Sequence, residues 1–132
     1  MLTDTKTLLL VDDEPANLQV LRNILEDNYR LLFAKDGDRA LELAHNEKPD
    51  LILLDVMMPG KSGYEVCETL QQQEATRSIP VIFVTALSDA DDEAHGLELG
   101  AVDYLTKPVN AAIVRARVRN HLSLVRVEEL TA

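Results

Sequence analysis

The chain has 132 residues, 46% of them hydrophobic and 27% charged, a balance that fits one soluble domain of ordinary size. Its 23 acids against 13 Lys and Arg leave a formal net charge of −10, which argues against direct nucleic-acid binding and makes cations the natural small ligands. A single cysteine, Cys67, excludes an internal disulfide and a Cys-based zinc site, and no apolar run is long enough for a signal sequence or a membrane span, so a cytoplasmic protein without a membrane partner is expected.

The first apolar run, Thr7 to Val11 (TLLLV), reads as a strand and ends in Asp12 and Asp13. Pro15 then fits the first position of a helix whose apolar stripe is Leu18, Leu21 and Leu25. A second strand, Arg30 to Ala34, is followed by Asp36, a candidate N-cap for a helix carrying Ala40, Leu41 and Ala44. The third strand, Leu51 to Leu54, ends in Asp55, and Ser62 with Glu65 has the spacing of a capping box at the next helix start. Strand four, Pro80 to Val84, ends in Thr85. Ser88 and Asp91 repeat the box spacing with a shorter acid, and Gly100 sits where a left-handed cap closes that helix. The fifth strand, Val102 to Leu105, runs into Thr106, Lys107 and Pro108, after which Asn110 can cap a last helix reaching about Glu129.

Three of the five runs are almost wholly apolar, the pattern of strands buried on both faces of a parallel sheet. Right-handed crossovers turn five alternating strands and helices into a three-layer α/β sandwich, and the flavodoxin-like strand order 2-1-3-4-5 is the common solution. One domain over residues 1–125 is expected, with 126–132 extending the last helix toward a linker and a C-terminal output module. In that helix Val118, Leu122 and Val125 continue an apolar seam with 4-then-3 spacing.

In such a sheet, ligands bind at the carboxyl ends of the strands. Asp12, Asp13, Asp55, Thr85 and Lys107 all fall there. Singly, each has a plain reading: the first two as acids favouring a helix dipole, Thr85 as a helix-initiating hydroxyl, Lys107 as a surface lysine. Together they are hard to explain by packing, because neighbouring carboxylates repel unless a cation holds them. Magnesium suits the set, with Asp13 and Asp55 as direct ligands and Asp12 acting through water. A carboxylate beside that ion can attack phosphorus, with Thr85 and Lys107 neutralising the transferring oxygens.

The stretches LLLVDDE, LILLDVMMPGKSGYE, VIFVTAL and DYLTKP closely resemble the receiver domains of response regulators, the CheY-like family, over about residues 7 to 122. The resemblance implies that Asp55 is phosphorylated by a sensor histidine kinase or a phosphotransfer protein, and that Asp12 and Asp13 form the acidic pair at the metal. It also implies that Met57 offers its backbone carbonyl to Mg²⁺, that Tyr104 is an aromatic switch coupled to Thr85, and that the peptide before Pro108 is cis. The fourth helix, fifth strand and fifth helix would form the output face. Acids at Asp89, Asp91, Asp92 and Glu93, and arginines at Arg115, Arg117, Arg119 and Arg126, offer that face a homodimer contact. Met57 and Leu87 are apolar where the chemotaxis receivers are polar, so slow loss of the phosphoryl group is expected.

Two other functions compete. A haloacid-dehalogenase-like phosphatase also uses an Asp nucleophile and Mg²⁺, but needs an acid two residues on, where Met57 stands, and a cap domain that 132 residues do not accommodate. A phosphorylation-independent interaction module would typically lack an acid or the lysine, and here all are present.

Overall fold

The computed structural model describes residues 5–131, with side chains as far as residue 124. Five strands and five helices alternate: β1 (Thr7–Val11), α1 (Pro15–Leu25), β2 (Arg30–Ala34), α2 (Gly37–Glu47), β3 (Leu51–Leu54), α3 (Gly63–Gln72), β4 (Val81–Thr85), α4 (Ala90–Glu98), β5 (Asp103–Thr106) and α5 (Ala111–Thr131). The strands form one parallel sheet in the order β2-β1-β3-β4-β5, as the alternation predicts.

Successive strand residues point to opposite faces, so each apolar strand feeds two layers at once. Leu8, Leu10, Leu51, Leu53, Ile82 and Val84 pack with Leu18, Leu21 and Leu25 of α1 and Val114 and Val118 of α5. Leu9, Val11, Ile52, Leu54, Val81 and Phe83 pack with residues of α2 and α3 on the other side. The three almost wholly apolar runs are the central strands, whereas β2 at the edge leaves Phe33 exposed.

The helix starts follow local chemistry. Pro15 stands at the head of α1, the Asp36 carboxylate accepts from the Arg39 N–H at 2.8 Å, and the Asn110 side-chain oxygen accepts from Ile113 N–H at 3.0 Å. Ser62 and Glu65 close a reciprocal capping box on α3. Replacing Ser62 by Ala is expected to cost about 1 kcal/mol and lower the thermal midpoint by about 4 °C in a calorimetric scan.

The similar spacing at Ser88 and Asp91 forms no box. Asp89 occupies the N-cap without a side-chain bond, and α4 begins one residue later than the spacing suggests. At its other end Gly100, with φ of 111°, lets its own N–H reach Leu97 and that of Ala101 reach Gly96, a Schellman closure.

β4 and β5 each lie one residue later than expected. Pro80 has no N–H to give the ladder, although its carbonyl accepts from Ile52, and pairing continues as far as Thr85 with Thr106. α5 spans 21 residues, about 31 Å. Its expected free seam is partly spent inside the domain: Val118 is fully buried and Leu122 packs against the α1-side layer. Val125 and Arg126 lie outside the described side chains. Among the described residues, no helix is long and apolar enough to cross a membrane.

Candidate functional site

Backbone hydrogen bonds carry the sheet pairing just past the strand ends and fix the residues there. Asp12 donates its N–H to Ala34, Asp55 to Val11 and Lys107 to Thr85, at 3.1, 3.0 and 2.8 Å. Five side chains singled out in the sequence, Asp12, Asp13, Asp55, Thr85 and Lys107, are thereby set on one edge of the sheet. Asp12, Asp55 and Thr85 are buried. The peptide between Lys107 and Pro108 is cis, as expected.

The Lys107 ammonium lies 2.6 Å from Asp12 Oδ2 and 3.4 Å from Asp55 Oδ2. Burial opposes its charge, but the hydrogen bond to Asp12 and the charges of Asp55 and Asp12 outweigh burial and hold Lys107 above its ordinary value. Asp55 is shifted upward, first by burial and then by the Asp12 charge, with Lys107, the Met57 N–H and the Thr85 hydroxyl only partly offsetting them. One carboxylate oxygen from each of Asp12, Asp13 and Asp55 lies within 4.8 Å of the others. Three carboxylates facing one ammonium leave excess negative charge, and an all-oxygen set of this kind matches a hard divalent cation.

Around this cluster, Met57 donates its N–H to Asp55 Oδ1 at 3.3 Å and carries its side chain into solvent, 58% exposed. Leu87 is half-buried, with its side chain against the core on the Phe83 side of the sheet. Its backbone joins two other site residues: the N–H reaches the Thr85 hydroxyl at 3.4 Å, and the carbonyl accepts from the Tyr104 hydroxyl at 3.0 Å. Tyr104 is buried and turned inward.

Three contributors escaped the sequence reading. Asn17, in the first turn of α1, places its amide 3.4 Å from Asp12 Oδ1, and only its polarity beside an acidic strand end hinted at this. Gly63 lies against the backbone of Asp55 and Val56 so closely that a Cβ would meet the Asp55 carbonyl oxygen at 2.0 Å. A glycine opening a helix, where propensity is poorest, was the available signal. Tyr64 donates to the Asp92 carbonyl at 3.1 Å and meets Phe83 and His95 edge-on, tying α3 to the first turn of α4.

Of the expected arginine contacts, two are used within the chain. Arg117 makes a two-pronged pair with Asp103 at 2.9 and 2.8 Å, joined by His121 at 3.1 Å, and Arg115 donates to the Ile24 carbonyl. Burial works against the Asp103 carboxylate, yet Arg117 and His121 hold it below the usual range. His121 is thus a satisfied histidine.

Comparison with known proteins agrees with this geometry. A protein 43% identical over 124 residues, a probable cyclic di-GMP phosphodiesterase of Vibrio cholerae, is matched along 94% of this chain and 28% of its own length. The response regulator PleD of Caulobacter vibrioides is 46% identical over 114 residues, 86% of this chain and 25% of its own. The chain therefore spans about a quarter of the length of these relatives. Among solved structures, the receiver domain of a sensor histidine kinase from Pseudomonas aeruginosa superposes with a TM-score of 0.84 at 30% identity, covering 91% of this chain and 99% of that one, and has a magnesium ion coordinated in its active site cleft. The family model for the response regulator receiver domain matches residues 8–119, which run from β1 into α5 and include every residue of the acidic edge, and the chain belongs to that family.

Proposed function

We propose that Asp55 is the phosphoacceptor of this receiver domain, that Asp13 and Asp55 hold Mg²⁺ with Asp12 acting through water, and that the Met57 carbonyl is a further ligand. The observation that carries the reading is the acidic trio within 4.8 Å, bridged on one side only by Lys107. The ammonium sits closer to Asp12, at 2.6 Å, than to Asp55, at 3.4 Å, which favours Asp13 and Asp55 for direct ligation. When bound, the cation would supply positive charge against the phosphoryl oxygens; the related Pseudomonas receiver has a magnesium ion coordinated in its active site cleft.

The chain's own residues supply the rest. The Asp55 carboxylate attacks phosphorus in line as the bond to the donor histidine nitrogen breaks, and the nitrogen leaves with the electron pair. Lys107 and the Thr85 hydroxyl neutralise the oxygens in transit, and the same groups serve the later attack by water, so the domain catalyses both its phosphorylation and its dephosphorylation. A groove of about 410 Å³, lined by Asn17, Val20, Leu21, Val84, Lys107 and Val109, opens beside Lys107. It offers a sensor kinase or phosphotransfer protein an apolar seat next to the acceptor.

Signal transmission runs through Leu87. A phosphoryl group that draws the Thr85 hydroxyl toward Asp55 pulls on the Leu87 N–H, and the Leu87 carbonyl transmits that pull to Tyr104 and the face made by α4, β5 and α5. A second copy docking on this face through the exposed acids of α4 would compete with Asp103 for Arg117. The end of the chain, residues 126–132, leads toward an output module, as the longer relatives suggest.

Incubation with acetyl phosphate and Mg²⁺ is expected to add one phosphoryl group per chain, read by intact mass, and addition of EDTA beforehand is expected to prevent it. Steady hydrolysis without an adduct would instead mark a phosphatase, and no reaction at all an interaction module.

A further inference from the structure

The sulfur atoms of the described residues are treated very differently by the fold. Cys67 is fully buried, and burial followed by the nearby Glu68 charge pushes its thiol up to about 11, far from the reactive thiolate. Met58 is buried at 8% exposure, whereas Met57, its neighbour, is 58% exposed. The Met57 backbone N–H holds Asp55 Oδ1, so the residue that carries this exposed thioether is anchored next to the acidic site rather than on a remote surface.

We propose that Met57 is an oxidation site for hydrogen peroxide, and that its sulfoxide shortens the life of the phosphoryl group on Asp55. This rests on reading Asp55 as the phosphoacceptor. In the step, a sulfur lone pair attacks one peroxide oxygen, an S–O bond forms as the O–O bond breaks, and the departing hydroxide takes the proton of the transferred oxygen and leaves as water. Sulfur gives up two electrons and the peroxide accepts them.

The product replaces an apolar, water-excluding side chain by a strong dipole that accepts hydrogen bonds. Placed beside Asp55, that oxygen can hold and orient the water that attacks phosphorus, while the Met57 backbone N–H and carbonyl are unchanged. One such hydrogen bond in the transition state corresponds to about a fivefold faster decay. The thioether is recovered by methionine sulfoxide reductases, so the effect is reversible in principle.

The test uses the whole chain, treated or not with dilute hydrogen peroxide, mapped by peptide mass, then loaded with acetyl phosphate and Mg²⁺ and followed as the adduct decays. The expected result is a sulfoxide on Met57 before Met58, an adduct decaying about fivefold faster, and recovery of the slow rate after reductase treatment. A Met57→Leu variant, whatever its own rate, is expected to decay equally with and without peroxide, which separates Met57 from oxidation elsewhere. Met57→Gln is expected to decay fast without oxidant. Equal decay of oxidised and untreated protein, or oxidation of Met58 first, overturns the inference while leaving the phosphoacceptor reading in place. Untreated protein that accepts no phosphoryl group overturns both.

Discussion

Replacing Asp55 by Asn is expected to abolish adduct formation with acetyl phosphate and Mg²⁺, from one phosphoryl group per chain to none by intact mass. The amide keeps the shape of the side chain but has no anionic oxygen with which to attack phosphorus. Without metal, the same variant is expected to be more stable than the parent at neutral pH. Burial and the Asp12 charge raise the Asp55 value above its unfolded one, so the ionised group disfavours the folded state. The sign follows from linkage: the fold is better off below the ordinary carboxylate range, and that advantage is lost as pH rises through the raised value. Thermal scans in EDTA across pH are therefore expected to converge for parent and variant under acid and to diverge toward neutrality. A variant that still forms the adduct, or melts lower at pH 7, contradicts this account.

Gly63→Ala is expected to be the most disruptive small change near the site. The added Cβ would meet the Asp55 carbonyl oxygen at 2.0 Å and the Val56 Cα at 2.8 Å, and these are backbone atoms with no rotamer in which to retreat. The start of α3 must move away from the loop after β3, straining the bond from the Gly63 N–H to the Val56 carbonyl, now 2.8 Å. A cost of about 3 kcal/mol follows, a fall of about 10 °C in the thermal midpoint, with slower adduct formation because Asp55 shifts with its loop. Gly60→Ala makes the useful contrast, since no heavy atom lies within 4 Å of its Cβ and only its φ of 78° opposes the change.

The sheet and its acidic edge were legible because their signals are local. Apolar runs mark LILL and TLLLV as central strands, and an acid directly after an apolar run must fall at a strand's carboxyl end. Ser62 and Asn110 announced their helices by side chains that reach only three residues. What stayed hidden depends on distances across the fold. Gly63 matters through its approach to the Asp55 backbone, and Leu87 acts through its own N–H and carbonyl, which no side-chain pattern reveals. The inward setting of Tyr104 was not legible for a similar reason: the acceptor that holds it, the Leu87 carbonyl, is a backbone atom 17 residues away. Ser88 shows the converse error, a box-like spacing that falls one residue out of frame with the helix, whose N-cap is Asp89.

The two apolar layers share strands but not side chains, since neighbouring positions of β1, β3 and β4 serve opposite faces. Substitutions in one layer are therefore poorly placed to compensate for those in the other, and their energetic effects combine nearly independently. For a lineage of such chains, the side bearing α1 and α5 and the side bearing α2, α3 and α4 are free to drift at separate tempos. The acidic edge, where both layers end, is the seam that holds the two histories together.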